Sequence, residues 1–233
     1  MSAPVAAVVP AKDEEELVGA TVRALSTLID IDLVIVVDDG SQDATGDVAA
    51  AHGAIVVRHQ IARGASAALE TGVARLAEEE QRKGTGEHVL LFADADLGES
   101  AANLTPLLVP VLLGGADLAL GVTPHTDSSL GSGRIVRLAR GQIEAMTGRR
   151  IEQPLGGPRC LTRQTYAEAL PLAPGWGVEA AMLVDVLRAG RRVAEVTLDL
   201  THRRSRTDLA GRLHRAGQLR DVSRALLARR FLS

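Results

Sequence analysis

The chain has 233 residues, a hydrophobic content of 46% and a formal net charge of −3. That length suits one α/β domain, the apolar fraction excludes global disorder, and the mild negative charge argues against a general nucleic-acid binder. Aromatic residues make up only 2%, too few for a lectin or a base-stacking single-strand binder, and the lone Cys160 excludes a disulfide framework and a four-thiolate zinc site.

Val5-Ala6-Ala7-Val8-Val9 predicts a strand buried on both faces, closed by Pro10. Asp13, Glu14, Glu15 and Glu16 then predict the start of a helix to about Leu28, with acids at its positive end. Leu33-Val34-Ile35-Val36-Val37 is a second strand ending in the turn Asp38-Asp39-Gly40-Ser41. A short helix towards His52 follows, then a third strand at 54–57. The Arg63-Gly64 loop leads into a helix over 65–81, and the fourth strand, 88–93, ends in Asp94-Ala95-Asp96. This β-α-β-α-β-α-β order predicts a parallel sheet with helices on both faces, and such sheets bind ligands at the carboxyl ends of their strands. Asp13, Glu14, Asp38, Asp39 and Asp94 are thereby gathered near Asp96 on one rim.

The second half is less regular. The apolar stretch 104–122 is broken by Pro106, Pro110, Gly114, Gly115 and Asp117, so it reads as helix, turn and strand and not as a membrane span. A polar loop over 123–133, a helix over 134–146 and a turn-rich segment over 153–158 follow. Trp176-Gly177-Val178-Glu179 leads into a helix to about Arg188, and a strand is expected over 193–200. From Thr201 on, nine arginines face only Asp208 and Asp221 in a basic helical tail. The tail's Leu213, Leu219, Val222, Leu226 and Leu227 suit packing or a homodimer seam. No basic start or cleavage pattern precedes the first strand, so a cytoplasmic protein without an integral membrane segment is expected.

Chemistry concentrates in the turns. At Asp94-Ala95-Asp96 one carboxylate can hold Mg²⁺ or Mn²⁺ while the other positions sugar hydroxyls, although the same turn also reads as a solvated acidic loop. Asp38-Asp39-Gly40-Ser41 suits either a helix cap or a carboxylate that accepts a base N–H. Trp176 is expected to pack the loop that positions Glu179, and Glu179 itself doubles as a favourable helix-start acid. His202, at the end of the last strand, suits a metal ligand or a surface histidine.

Taken in order, Val9-Pro10-Ala11-Lys12-Asp13-Glu14-Glu15, Val37-Asp38-Asp39-Gly40-Ser41 and Ala93-Asp94-Ala95-Asp96-Leu97 resemble a GT-A glycosyltransferase of the large nucleotide-sugar family. Gln153-Pro154-Leu155-Gly156-Gly157, Ala173-Pro174-Gly175-Trp176-Gly177-Val178-Glu179 and Thr201-His202-Arg203 narrow the resemblance to the glucosyl-3-phosphoglycerate synthases, over nearly the whole chain. The resemblance implies a GT-A, Rossmann-like, mostly parallel sheet in a single domain over 1–233. Its nucleotide-binding half would be 1–98, its acceptor-binding half 99–205 and its C-terminal helical segment 206–233.

It further implies that Pro10, Ala11, Asp13, Glu14, Gly40 and Ser41 hold uridine. Asp39 fits the broader pattern where these synthases usually have serine, and Arg63 stands where they have lysine. Asp94 would contact sugar or ribose, Asp96 and His202 would ligate Mg²⁺ or Mn²⁺, and Glu179 would contact glucose hydroxyls. Gly156 and Gly157 would admit donor and acceptor, and Arg134, Arg203 and Arg204 would bind an anionic acceptor. Val136 replaces an expected threonine and Arg204 an expected asparagine. The implied activity is metal-dependent, retaining hexosyl transfer from UDP-glucose to a small anion such as 3-phosphoglycerate. Transfer to a polyprenyl phosphate at a membrane surface, and non-catalytic binding of a nucleotide sugar, are the competing readings.

Overall fold

Apolar runs without polar alternation need cover on both faces, and the first four strands receive it. In the computed structural model, which describes residues 3–123, 132–201 and 209–230, β1 (Val5–Ala11), β2 (Ile31–Asp38), β3 (Ile55–Arg58) and β4 (Val89–Phe92) lie parallel. Helices α1 (Val18–Ser26), α2 (Thr45–Ala51) and α3 (Ala65–Lys83) connect them. Side-chain alternation splits the strands between two layers: Ala6, Val8, Leu33, Ile35 and Val37 pack with α3, while Val5, Ala7, Val9, Val34 and Val36 pack with α1. Leu25 of α1 and Leu76 of α3 are fully buried, and truncating such a leucine to alanine costs about 2–5 kcal/mol.

After β4 a short 3-10 helix (Gly98–Leu104) runs into α4 (Thr105–Leu112) and β5 (Leu118–Val122). Then come α5 (Ser132–Thr147), β6 (Arg159–Leu161), α6 (Arg163–Glu168), α7 (Val178–Arg188), β7 (Val193–Thr197) and α8 (Leu209–Arg230). The seven strands form one sheet in the order β3-β2-β1-β4-β6-β5-β7. Strand β6 is antiparallel to both of its neighbours, with Arg159 opposite Phe92 on one side and Leu120 on the other. The sequence pattern gave no hint of this strand, because three residues behind a Gly-Pro turn carry no periodicity.

Two boundaries depart from expectation. Helix α1 begins at Val18, not in the acidic run. Asp13 takes a positive φ of 54°, and the run is spent on tying the first loop to the second. The N–H of Asp13 donates to Ser41 Oγ (3.0 Å), that of Glu14 to Thr45 Oγ1 (2.8 Å) and that of Gln42 to Asp13 Oδ1 (2.8 Å). Strand β7 stops at Thr197, although the Leu198 N–H still reaches the Val122 carbonyl at 2.8 Å.

The C-terminal helix packs on its own chain. Val222 and Leu226 enter the core and Arg229 pairs with Asp185 of α7 at 2.9 Å, whereas Leu219 and Leu227 stay exposed. The Leu213 side chain lies outside the described residues. No described helix is long and apolar enough to cross a membrane.

Candidate active site

Strand order reverses at β1, with β2 and β3 on one side and β4 on the other. At the carboxyl ends of these strands opens a cavity of about 400 Å³, where a doubly wound sheet places its ligand. Pro10, Ala11, Lys12, Asp39 and Asp94 line it from the first half, and Gly157, Arg159, Trp176 and Glu179 from the second.

Asp39 forms part of the first-half wall of the cavity. Its Oδ1 accepts from His59 Nδ1 (2.7 Å) and the Arg63 N–H (2.8 Å), and its Oδ2 accepts from the Gly64 N–H (2.8 Å). Burial alone would raise its pKa, but the Arg63, His59 and Gly64 hydrogen bonds outweigh burial and hold it below the ordinary carboxylate value. With three acceptor positions filled, one lone-pair direction on Oδ2 remains for a ligand N–H. Asp38 is turned away from the cavity. It accepts from the Ser41 N–H (2.9 Å) and faces Arg58 at 3.8 Å.

The Asp94-Ala95-Asp96 turn is fixed from below by Thr21, a fully buried residue of α1. Its hydroxyl donates to the Ala95 carbonyl and accepts from the Gly98 N–H, both at 2.8 Å. Asp94 lines the cavity, while Asp96 is half-buried beside it. Across the turn, the Thr201 N–H donates to Ser100 Oγ (3.1 Å) and Asn103 Nδ2 donates to the Asp199 carbonyl (2.8 Å). The residue preceding His202 is therefore pinned to the helix that follows Asp96. No cluster of three potential metal-ligating side chains exists among the described residues, and His202 lies outside them. The carboxylate oxygens of Asp94 and Asp96 are the hard donors that Mg²⁺ or Mn²⁺ prefers.

Glu179 sits in the first turn of α7 and reaches the opposite wall of the cavity. Burial raises its pKa and Asp94 adds to the rise, while Arg159 and a hydrogen bond from the Gly156 N–H act against it. Gly157 has a φ of +81°, and a side chain there would stand 2.7 Å from the Gly121 carbonyl. Only glycine lets this segment lie flat against β5. Trp176, expected to pack inside its loop, is 47% exposed at the cavity rim. The loop is supported instead by α8, because a Cβ on Gly175 would run into the Asp221 carboxylate.

Of the residues singled out by sequence, Pro10, Ala11, Asp39, Asp94, Gly157 and Glu179 meet at the cavity. Asp13, Glu14 and Ser41 frame it through the loop clamp described above, Gly40 takes a positive φ of 73° against the Ala62 backbone, and Arg63 contributes its backbone N–H. Gly156 acts through its N–H on Glu179. Arg134 falls in the first turn of α5, and Arg203 and Arg204 lie outside the described residues. Sequence reasoning missed Arg159 and Thr21. No sequence signal marked Arg159, because the strand it opens was itself not legible.

Known proteins resemble this chain over most of its length. The model of the family "Glycosyl transferase family 2" matches residues 6–167. Glucosyl-3-phosphoglycerate synthase of Mycolicibacterium paratuberculosis is 32% identical over 231 residues, covering 87% of this chain and 66% of that protein. The synthase of Mycolicibacterium smegmatis is 33% identical over 227 residues, covering 88% and 73%. The crystal structure of the Mycobacterium tuberculosis synthase with Mn²⁺, UDP and phosphoglyceric acid superposes with a TM-score of 0.76 at 30% identity, covering 97% of this chain and 78% of that one. The chain thus spans about two thirds to four fifths of the length of these relatives. The sheet is that of their GT-A fold, and the chain belongs to glycosyl transferase family 2.

Proposed function

We propose that this chain is a divalent-metal-dependent, retaining glycosyltransferase that moves glucose from UDP-glucose to 3-phosphoglycerate. The carrying observation is the convergence of Asp94 and Glu179, from opposite halves of the chain, on one cavity at the topological switch point. The relatives support the substrates: structures of the Mycobacterium tuberculosis synthase contain Mn²⁺ with UDP-glucose and phosphoglyceric acid, and Mg²⁺ with UDP.

In this reading Pro10, Ala11 and the free lone pair of Asp39 receive the uridine, with Asp13, Glu14, Gly40, Ser41 and Arg63 holding that wall in shape. Asp94 and Glu179 accept hydrogen bonds from ribose and hexose hydroxyls and fix the anomeric carbon. A Mg²⁺ or Mn²⁺ ion held by Asp96 and His202 would supply charge neutralisation for the departing diphosphate. Arg134, Arg203 and Arg204 provide charge-assisted donors for the acceptor's phosphate and carboxylate. The acceptor hydroxyl attacks the anomeric carbon on the face that UDP leaves. Its oxygen gains the bond to carbon, the carbon–oxygen bond to UDP breaks, and the hydroxyl proton passes to the leaving phosphate.

The test combines UDP-glucose, Mn²⁺ and 3-phosphoglycerate with the protein and measures UDP release and the product's mass and anomeric configuration. The expected result is acceptor-dependent UDP release with an α-linked product, abolished by a chelator and restored by added Mn²⁺. UDP release that ignores the acceptor, or none at all, refutes the proposal.

A further inference from the structure

Arg159 opens strand β6 and is 3% exposed. Alternation along the strand sends Arg159 to the same face as Leu161, towards α7, and Cys160 to the other. Since β6 lies beside the carboxyl end of β4, the guanidinium arrives in the cavity wall next to Asp94. Its Nη1 donates to the main-chain carbonyl of Glu179 (2.9 Å), and Nη2 reaches the Pro154 carbonyl (3.4 Å) and lies 3.9 Å from Glu179 Oε2. Its Nε is buried with no hydrogen-bond partner. A buried, incompletely satisfied arginine is a poor stabilising device, because an apolar side chain of similar volume usually serves a fold as well. Its placement against both sugar-facing carboxylates therefore points to work in the site.

We propose that Arg159 is a positioning residue for the donor sugar: it anchors the first turn of α7 and holds the Glu179 carboxylate as a fixed acceptor for hexose hydroxyls. This rests on the glycosyltransferase reading above and deepens it. Without the guanidinium, the half-buried carboxylates of Asp94 and Glu179 would share the cavity with no cation between them. Burial and Asp94 both press Glu179 towards its neutral form, and Arg159 is the cation that opposes them. A neutral Glu179 would present one of its oxygens as a hydroxyl donor and lose half of its acceptor capacity. The uridine wall, built from Pro10, Ala11 and Asp39, stands apart from this device.

The experiment compares wild type with Arg159→Met and Arg159→Lys, alone and in a Glu179→Gln background. Binding of UDP and of UDP-glucose is measured with Mn²⁺, alongside turnover. The expected result for Arg159→Met is a fall in kcat/KM for UDP-glucose of about 10- to 100-fold, with UDP affinity kept within about twofold. Lysine should recover part of the loss, since it restores the charge without the planar fork. In the Glu179→Gln background the same change should cost less than about threefold, because the partner it acts through is already altered. Equal losses of UDP and UDP-glucose affinity, or an undiminished effect in the Glu179→Gln background, would overturn the positioning role. If Arg159→Met does not fold, Arg159→Lys carries the same comparison. A wild-type protein that turns over no UDP-glucose refutes the glycosyltransferase reading itself, whereas an active wild type beside an indifferent Arg159→Met refutes only the role of Arg159.

Discussion

Replacing Asp39 by alanine tests whether an ionised carboxylate organises the first-half wall of the cavity. The change removes three acceptor contacts of 2.7–2.8 Å, two from backbone N–H groups and one from His59. Hydrogen bonds to a charged group contribute about 1.5–3 kcal/mol each when buried. Arg63 is exposed and Gly64 half-exposed, so water replaces part of the loss and the net cost should be about 3 kcal/mol. For a chain of this size that is a fall in Tm of about 6–12 °C. Asparagine keeps one amide oxygen but meets an N–H donor with its own NH₂ group, so it should recover less than half. The pH dependence follows from the direction of the shift. The folded pKa lies below the ordinary 3.8, so ionisation adds stability that is complete above the unfolded value and drains away as pH falls through the folded one. Urea denaturation of wild type and Asp39→Ala should show the full penalty at about pH 7 and a smaller one at about pH 3. A penalty of the same size at both pH values would refute the argument, and so would none at neutral pH.

Asp94→Ala and Asp96→Ala should each lower turnover by about 100-fold or more while leaving Tm within a few degrees of wild type, read by UDP release and calorimetry. Near wild-type activity in both would remove the metal and sugar assignments. Thr21→Val keeps the shape but strips the hydroxyl that binds the Ala95 carbonyl and the Gly98 N–H. It should cost about 1–3 kcal/mol and lower turnover, with Thr21→Ser close to wild type in both denaturation and activity. Gly175→Ala forces a side chain into a φ of +66° and against Asp221, at a backbone cost of roughly 1–2 kcal/mol. A Gly175→Ala/Asp221→Ala double variant should regain activity relative to Gly175→Ala alone, and no regain would mean that α8 does not support the loop. Tyr166 is the only tyrosine in the chain, and burial, with Glu70 nearby, pushes its phenol up to about 12. An ultraviolet titration should therefore show no phenolate near the ordinary value of 10.0.

The first half of the fold was legible because parallel strands buried on both faces announce themselves as short unbroken apolar runs, and their polar ends mark the ligand rim. Pro10, Asp39 and Asp94 could be placed there from order alone. What each carboxylate does there was not legible. Asp13 and Asp38 look equivalent to Asp39 in sequence, yet Asp13 ties two loops together and Asp38 caps a turn and faces Arg58. Only three-dimensional packing decides which oxygen points inward. The acidic run after β1 misled for the same reason. Its charges suit a helix start, but Asp13 and Glu14 are held by Ser41 and Thr45, more than twenty residues away. Arg159 escaped because a three-residue strand offers no period to read, and a single arginine among turn residues reads as surface.

The antiparallel strand β6 explains why one cavity draws on both halves of the chain. A parallel continuation beside β4 would have presented the carboxyl end of another strand, with a helix start beyond it. The reversed strand presents its amino end instead, so the segment entering it, Gly156-Gly157-Pro158, and its first residue, Arg159, arrive beside Asp94. The glycine at 157 lets that segment press onto β5, and the guanidinium behind it reaches the first turn of α7. Glu179 is held there by the 156–159 segment, through the Gly156 N–H and Arg159, and its helix starts from the Gly175–Gly177 loop seated on α8. Helix α8 thereby supports the Glu179 wall of the cavity as well as the core. Asp221→Ala, which removes the acceptor of the Trp176 N–H, should impair turnover of UDP-glucose while leaving UDP bound by the first-half wall, and equal loss of both would mean that the two walls are not separable.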